Sequence, residues 1–80
     1  MSKNEIYEKL NEIFQDVFDD ETLTVSAATT AADVDGWDSL THITLLATVE
    51  DEFGVKFSMK AVQHLANVGE LAELIAEGLQ

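Results

Sequence analysis

The chain has 80 residues, of which sixteen are acidic and four are basic, and its formal net charge is −12 at pH 7. A negative field of this size repels nucleic acid and anionic membranes and favours partners with basic surfaces. The chain contains no cysteine, which excludes disulfide bonds and thiolate metal sites. This length predicts a single domain over residues 1–80, with a thin core and marginal stability.

The sequence also indicates where the protein works. No apolar run approaches the roughly 18–20 residues of a transmembrane helix. The first ten residues, MSKNEIYEKL, lack the apolar segment of a signal peptide. We expect a cytoplasmic protein without a membrane span, and a monomer.

The first predicted helix begins at Ser2, because Ser2 and Glu5 have the spacing of a capping box. The polar segment DDET, residues 19–22, ends this helix. Its apolar residues recur at helical intervals and form one face; they are Ile6, Leu10, Ile13, Phe14, Val17 and Phe18.

A long loop is predicted from Leu23 to Trp37, since this stretch is rich in Ser, Thr, Ala and Asp and has no sustained period. It includes a turn around residues 30–34, and four apolar residues are expected to hold it to the core: Leu23, Val25, Val34 and Trp37. The second helix is predicted from about Ser39 to Phe53, with Gly54 just past its end. Its apolar band is wide enough to contact more than one neighbouring helix and comprises Leu40, Ile43, Leu45, Leu46, Ala47, Val49 and Phe53.

Two further helices complete the prediction. The segment SMKAVQHLA, residues 58–66, predicts a short helix with Ala61, Val62 and Leu65 facing inward. Asn67 and Glu70 have capping spacing at the start of the last helix, whose inner face is expected to hold Val68, Leu71, Leu74, Ile75 and Leu79. Three principal helices, one short helix and a long first connection predict an all-α four-helix bundle.

The stretch GWDSLTHI, residues 36–43, contains the residue types of a nucleophilic site. Asp38, Ser39 and His42 supply the three residue types that a Ser-His-Asp triad requires. His42 lies three residues after Ser39 on the same helix, however, and no Gly-rich oxyanion loop is present. This spacing is unfavourable for an enzyme.

A calcium loop is the next alternative, because DVDGWD places Asp33 and Asp35 two residues apart. An EF-hand needs a ligand at its fifth position, Gly at the sixth and Glu at the twelfth. The chain has Trp37, Asp38 and Thr44 at those positions, and His42 and His64 are isolated. We therefore expect no metal site.

Ser39 has two remaining interpretations. An Asp-Ser pair at a helix start is an ordinary N-cap. Alternatively, a hydroxyl at a helix N-terminus can carry a phosphodiester, because free N–H groups and the helix dipole favour the anion. A separate transferase would then activate the hydroxyl.

The DSL of residues 38–40, an apolar helix ending in EDEFGVKF, and LANVGELAELI near the end together resemble the acyl carrier protein family over nearly the whole chain. The resemblance implies a non-catalytic carrier with 4′-phosphopantetheine on Ser39, whose thiol holds acyl groups as thioesters. It also implies that the transferase recognises Asp38 and that Leu40 contacts partner proteins. The implied partners are a phosphopantetheinyl transferase and acyl-transfer enzymes with basic docking surfaces.

The chain departs from fatty-acid carriers, which usually have acidic residues shortly after DSL. Here Thr41, His42 and Thr44 follow, and acids return only at Glu50. A tryptophan directly before DSL, here Trp37, is similar to the pattern in discrete carriers of specialised pathways. We expect a free-standing carrier for a specialised lipid, polysaccharide or secondary-metabolite pathway, with Trp37, Thr41, Thr44 and Glu50 as partner-binding candidates. The alternatives are a housekeeping fatty-acid carrier, an aminoacyl or peptidyl carrier, and an unmodified adaptor.

Overall fold

The computed structural model describes residues 2–63 and 65–79. In this part of the chain the α-helices are α1 (Lys3–Val17), α2 (Ser39–Phe53), α3 (Met59–Val62) and α4 (Val68–Gly78), and a 3₁₀ turn, Ala31–Asp33, lies in the first connection. The predicted all-α fold, with three principal helices, one short helix and a long first loop, is confirmed. No helix of the described residues combines the length and the apolar character needed to cross a membrane.

The helix starts follow the predicted capping patterns. The Glu5 N–H donates to Ser2 Oγ over 3.2 Å, and the Glu5 carboxylate accepts from the Ser2 N–H over 3.1 Å. At α4 the Asn67 side chain accepts from the Glu70 N–H over 2.9 Å. The Glu70 carboxylate reaches one residue further back than expected and accepts from the Ala66 N–H over 2.8 Å.

The core lies where α1, α2 and α4 meet. Its fully buried large side chains are Ile6, Leu10, Phe14, Leu45, Val49, Val68, Leu71 and Ile75. Val25 and Val34 of the first loop are also buried, and Leu23 and Trp37 pack against the core while partly exposed. Leu23, Val25 and Trp37 therefore hold the loop to the core, as predicted, whereas Val34 is buried outside the core cluster. Leu79 was expected to face inward but is 37% exposed, because α4 ends at Gly78.

The prediction of one wide buried band on α2 was wrong. Leu45, Leu46, Val49 and Phe53 are buried, whereas Leu40 is 78% exposed, Ile43 is 62% exposed and Ala47 is also exposed. The three exposed residues share helical spacing of three and four, and so form a second stripe beside the buried one. That stripe stays exposed because α3 is only one turn long and cannot cover it.

Helix α3 is shorter than predicted. It spans four residues, begins at a cap in which Ser58 Oγ accepts from the Ala61 N–H over 3.2 Å, and buries Val62. Ala61 is exposed, contrary to expectation, and Leu65 is half-buried in a non-helical segment. His64, which the predicted helix included, lies outside the described residues.

Two side chains of α2 hold α3 in place, one on each side of it. The Phe57 N–H, before α3, donates to the Glu50 carboxylate over 2.8 Å. At the other end His42 Nε2 lies 2.8 Å from the Val62 carbonyl oxygen. The segment from Phe57 to Val62 therefore passes back along α2, and the end of α3 lies beside the first turn of α2.

Candidate functional site at the start of helix α2

Asp38 is the N-cap of α2. Its carboxylate accepts from the Leu40 N–H and from the Thr41 N–H, each over 3.0 Å. Thr41 Oγ1 accepts from the Asp38 N–H over 2.8 Å and donates to the Gly36 carbonyl over 2.7 Å. Hydrogen bonds from Thr41 and Leu40 hold the pKa of the Asp38 carboxyl below its usual range, the Thr41 N–H being the largest cause.

Ser39 is the first residue of α2 and its side chain is exposed. The cap is formed by Asp38, so the Ser39 hydroxyl is not needed for it. The expectation of free amide groups at this terminus needs correction, because Asp38 already binds those of Leu40 and Thr41. What the structure leaves at Ser39 is an exposed residue on a first turn that is capped by hydrogen bonds.

Two open grooves meet at Ser39. The loop groove, of about 300 Å³, is lined by Ala31, Trp37, Asp38, Ser39, His42, Gln63 and Leu65. The α2–α3 groove, of about 500 Å³, is lined by Ser39, His42, Ile43, Leu46, Ala47, Glu50, Phe57, Met59, Val62 and Gln63. Most of the residues in the second list are apolar, so this groove suits an apolar group better than the first.

Trp37 closes the long loop onto the bundle. Its half-buried ring packs edge-on against Phe14, with ring centroids 5.2 Å apart, and lies 6.1 Å from the Phe18 ring. Its Nε1–H donates to His42 Nδ1 over 3.1 Å. The predicted role of Trp37 in holding the loop to the bundle is confirmed.

His42 has a structural role that the sequence did not reveal. Because an indole nitrogen only donates, His42 Nδ1 is the acceptor from Trp37, and the proton on Nε2 donates to the Val62 carbonyl. Both ring nitrogens are thus engaged away from Ser39 Oγ, which agrees with the unfavourable triad spacing. The available signal was the position of His42 four residues before the buried Leu46, on the inner side of α2.

Some of the other predicted site residues line the two grooves, and others lie on the exposed surface of α2. Trp37 and Asp38 join Ser39 in the loop groove, and the half-buried Glu50 lines the α2–α3 groove. Leu40 and Thr44 are exposed and line neither of these grooves, and Thr44 Oγ1 donates to the Leu40 carbonyl over 3.3 Å. Thr41 is half-buried and its hydroxyl belongs to the cap.

Of the two calcium-loop candidates, Asp33 and Asp35, the first takes part in local structure. The Asp33 carboxylate accepts from the Thr30 N–H over 3.0 Å and from the Thr30 hydroxyl over 3.2 Å, at the start of the 3₁₀ turn. Within residues 2–63 and 65–79, no group of three or more His, Asp or Glu side chains is placed to hold a metal ion. His64 lies outside these ranges.

Comparison with known proteins identifies the family. A family model described as "Phosphopantetheine attachment site" matches residues 8–75. The solution NMR structure of a holo acyl carrier protein from Geobacter metallireducens is 40% identical, with a TM-score of 0.85 over 91% of this chain and 84% of that one. No curated protein gives a significant match. The chain therefore belongs to the acyl carrier protein family, whose cofactor is 4′-phosphopantetheine.

Proposed function

We propose that the chain carries acyl groups as thioesters on a 4′-phosphopantetheine arm attached to Ser39. The observation that carries this assignment is the position of the Ser39 hydroxyl: exposed, first in α2 and at the meeting point of two grooves. The arm supplies the thiol that this cysteine-free chain lacks. The chain's own contribution is to present the hydroxyl and the surface around it to partner enzymes.

The residues around Ser39 fit such a group. Asp38 caps α2 independently of the Ser39 hydroxyl, so esterification of that hydroxyl leaves the cap hydrogen bonds in place. The α2–α3 groove, with Leu46 and Val62 in its walls, offers an apolar surface beside the attachment point. Leu40 is 78% exposed, which supports the proposed contact with partner enzymes.

The test is incubation with a phosphopantetheinyl transferase and coenzyme A, followed by intact-protein mass measurement. The wild-type chain should gain one phosphopantetheine mass, and Ser39→Ala should gain none while keeping its helical circular dichroism. Ser26→Ala is the matched control, because Ser26 is another exposed serine but lies in the first loop and lines neither groove, and it should be modified normally. If Ser39→Ala gains the mass, the attachment site is wrong; if the wild-type chain gains none, the unmodified adaptor is favoured.

We further propose that this carrier serves a specialised lipid, polysaccharide or secondary-metabolite pathway in the cytoplasm. The support is the start of α2, where Leu40, Ile43 and Thr44 are exposed and uncharged. Fatty-acid carriers usually place acids here, and their absence weakens docking to the strongly basic surfaces of fatty-acid synthesis enzymes. The net charge of −12 still favours partners with moderately basic surfaces.

Loading with malonyl groups by a housekeeping transacylase tests this second proposal. The wild-type holo protein should be loaded slowly, and Thr44→Glu should raise the rate by restoring an acid on the exposed face. Thr24→Glu, at an exposed residue of the first loop that lines neither groove at Ser39, adds the same charge and should change loading little. Efficient loading of the wild-type protein that Thr44→Glu does not improve would favour the housekeeping alternative.

A further inference from the structure

His42 joins three segments that surround Ser39. Its Nδ1 accepts from Trp37 Nε1–H at the end of the long loop, and its Nε2–H donates to the Val62 carbonyl at the end of α3. His42 itself stands one helical turn after Ser39 on α2. One side chain therefore fixes the loop, α2 and α3 relative to one another beside the attachment point.

Helix α3 depends on contacts of this kind because it has only four residues. An isolated helix of that length is not stable, and its last carbonyl groups lack intrahelical partners. His42 binds one of those carbonyls, that of Val62. The second hydrogen bond that holds α3, between Glu50 and the Phe57 N–H, lies about 12 Å further along α2. His42 is thus the anchor at the Ser39 end of α3.

An enzyme that transfers a group to Ser39 Oγ must cover the surface around this hydroxyl. That surface consists of the walls of the two grooves, to which Trp37, His42 and Gln63 contribute. We propose that His42 is a positioning residue for phosphopantetheine attachment: it holds Trp37 and α3 in a preformed surface, so that the transferase does not have to order them when it binds. This role rests on the proposed attachment to Ser39.

Loss of the bridge should weaken transferase binding and leave the chemical step nearly unchanged, because neither His42 nitrogen binds Ser39 Oγ. If Trp37 and α3 become ordered only when the transferase binds, that ordering costs binding free energy and raises KM. His42→Ala removes both hydrogen bonds of the bridge and should raise the KM of the transferase for this carrier by at least about threefold to tenfold, the fold-change that corresponds to the loss of one hydrogen bond, with kcat little altered. His42→Gln keeps one acceptor and one donor and should recover part of the KM.

The measurement is the initial rate of modification by a phosphopantetheinyl transferase, with coenzyme A saturating and the carrier varied. Ile75→Val is the matched control, because it removes packing from the fully buried face of α4 without touching the bridge, and its KM should equal that of wild type. Amide hydrogen exchange supplies a second readout. The Gln63 N–H, which donates to the Met59 carbonyl over 2.9 Å, should exchange faster in His42→Ala and not in Ile75→Val.

A wild-type KM in His42→Ala, or an equal rise in Ile75→Val, overturns the role of His42. If His42→Ala fails to fold, Trp37→Phe decides the question by the same measurement, since it keeps a six-membered aromatic ring and removes the Nε1–H donor together with the rest of the indole; an unchanged KM there also overturns the proposal. A wild-type chain that never gains the cofactor mass overturns the proposed function together with this role. Normal modification of both wild type and His42→Ala overturns this role alone.

Discussion

Asp38 and Thr41 bind each other's backbone N–H groups across the first turn of α2. The Asp38 carboxylate accepts from the Thr41 N–H over 3.0 Å, and Thr41 Oγ1 accepts from the Asp38 N–H over 2.8 Å. Thr41 Oγ1 also donates to the carbonyl of Gly36, whose φ of +86° lies in the left-handed region that favours glycine. Ser39 lies inside this reciprocal cap, so the backbone that carries its hydroxyl is fixed from both sides.

The cap should be sensitive to acid. Because the pKa of the folded Asp38 carboxyl is lowered, chiefly by the Thr41 N–H, its charge stabilises the fold above the ordinary aspartate pKa of about 3.9. That stabilisation declines as the pH falls below this value and is lost once the pH passes the lowered pKa of the folded state. Asp38→Asn keeps an acceptor oxygen but does not titrate. The difference in unfolding free energy between wild type and Asp38→Asn should therefore shrink progressively below about pH 4.

Urea unfolding of the two proteins at a series of pH values provides the measurement. The other carboxylates titrate in both proteins, so their contributions cancel in the difference. Thr41→Val, which removes the hydroxyl that binds the Asp38 N–H and the Gly36 carbonyl, should lower stability at neutral pH. A difference between wild type and Asp38→Asn that stays constant with pH would mean that the Asp38 charge does not strengthen the cap.

Trp37 should be both a structural residue and a reporter. Its ring packs against Phe14 and Phe18, so Trp37→Ala should lower the unfolding free energy by about 2–4 kcal/mol. Trp37→Phe, which keeps a ring in the same place, should cost less. Trp37 is the chain's single tryptophan and lines the loop groove with Ser39, so its emission should differ among the apo, holo and acyl forms. Identical spectra in the three forms would remove the reporter role.

Glu50 combines an observed structural contact with a proposed docking role, and two substitutions separate them. Its carboxylate accepts from the Phe57 N–H over 2.8 Å. Glu50→Gln keeps an acceptor there and removes one charge from residues 50–52, so it should melt no lower than wild type, whereas Glu50→Ala leaves the amide without that acceptor and should be about 1–2 kcal/mol less stable than Glu50→Gln. If Glu50 also contacts basic partners, Glu50→Gln should weaken their binding at low salt. Equal partner binding by wild type and Glu50→Gln would restrict Glu50 to its structural role.

The limits of sequence reasoning are clearest on α2. Capping spacing and periodicity correctly placed its start at Ser39 and its end before Gly54, because these depend on local preferences. The same periodicity did not distinguish the buried Leu46 from the exposed Ile43, because burial depends on which neighbour covers each stripe. The role of His42 was missed for a related reason: its partner Val62 lies twenty residues away. The spacing of His42 from Leu46 indicates that His42 faces inward, but no local pattern indicates which distant carbonyl it binds.

Salt and magnesium should stabilise the fold. Sixteen acidic residues face four basic ones, and the ion pairs found within residues 2–63 and 65–79 are Lys3–Glu73 and Lys9–Glu52, both with exposed or partly exposed side chains. Exposed pairs contribute little, so repulsion within runs such as residues 19–21 and 50–52 dominates, and screening at an ionic strength of about 0.1 M reduces it. The melting temperature should therefore rise with sodium chloride, and millimolar magnesium should raise it more than sodium at matched ionic strength.

Asp19→Asn offers a matched test of that repulsion. Asp19 has a φ of +51°, a left-handed conformation that asparagine also adopts readily, so the substitution removes one charge without straining the backbone. It should raise the melting temperature at low salt by about 1–3 °C and reduce the salt dependence. Asp20→Asn should gain less, because the charged Asp20 side chain accepts hydrogen bonds from the Thr22 N–H and hydroxyl that lower its pKa. If the melting temperatures of wild type and Asp19→Asn did not change with sodium chloride or with magnesium, the acidic excess would not limit stability.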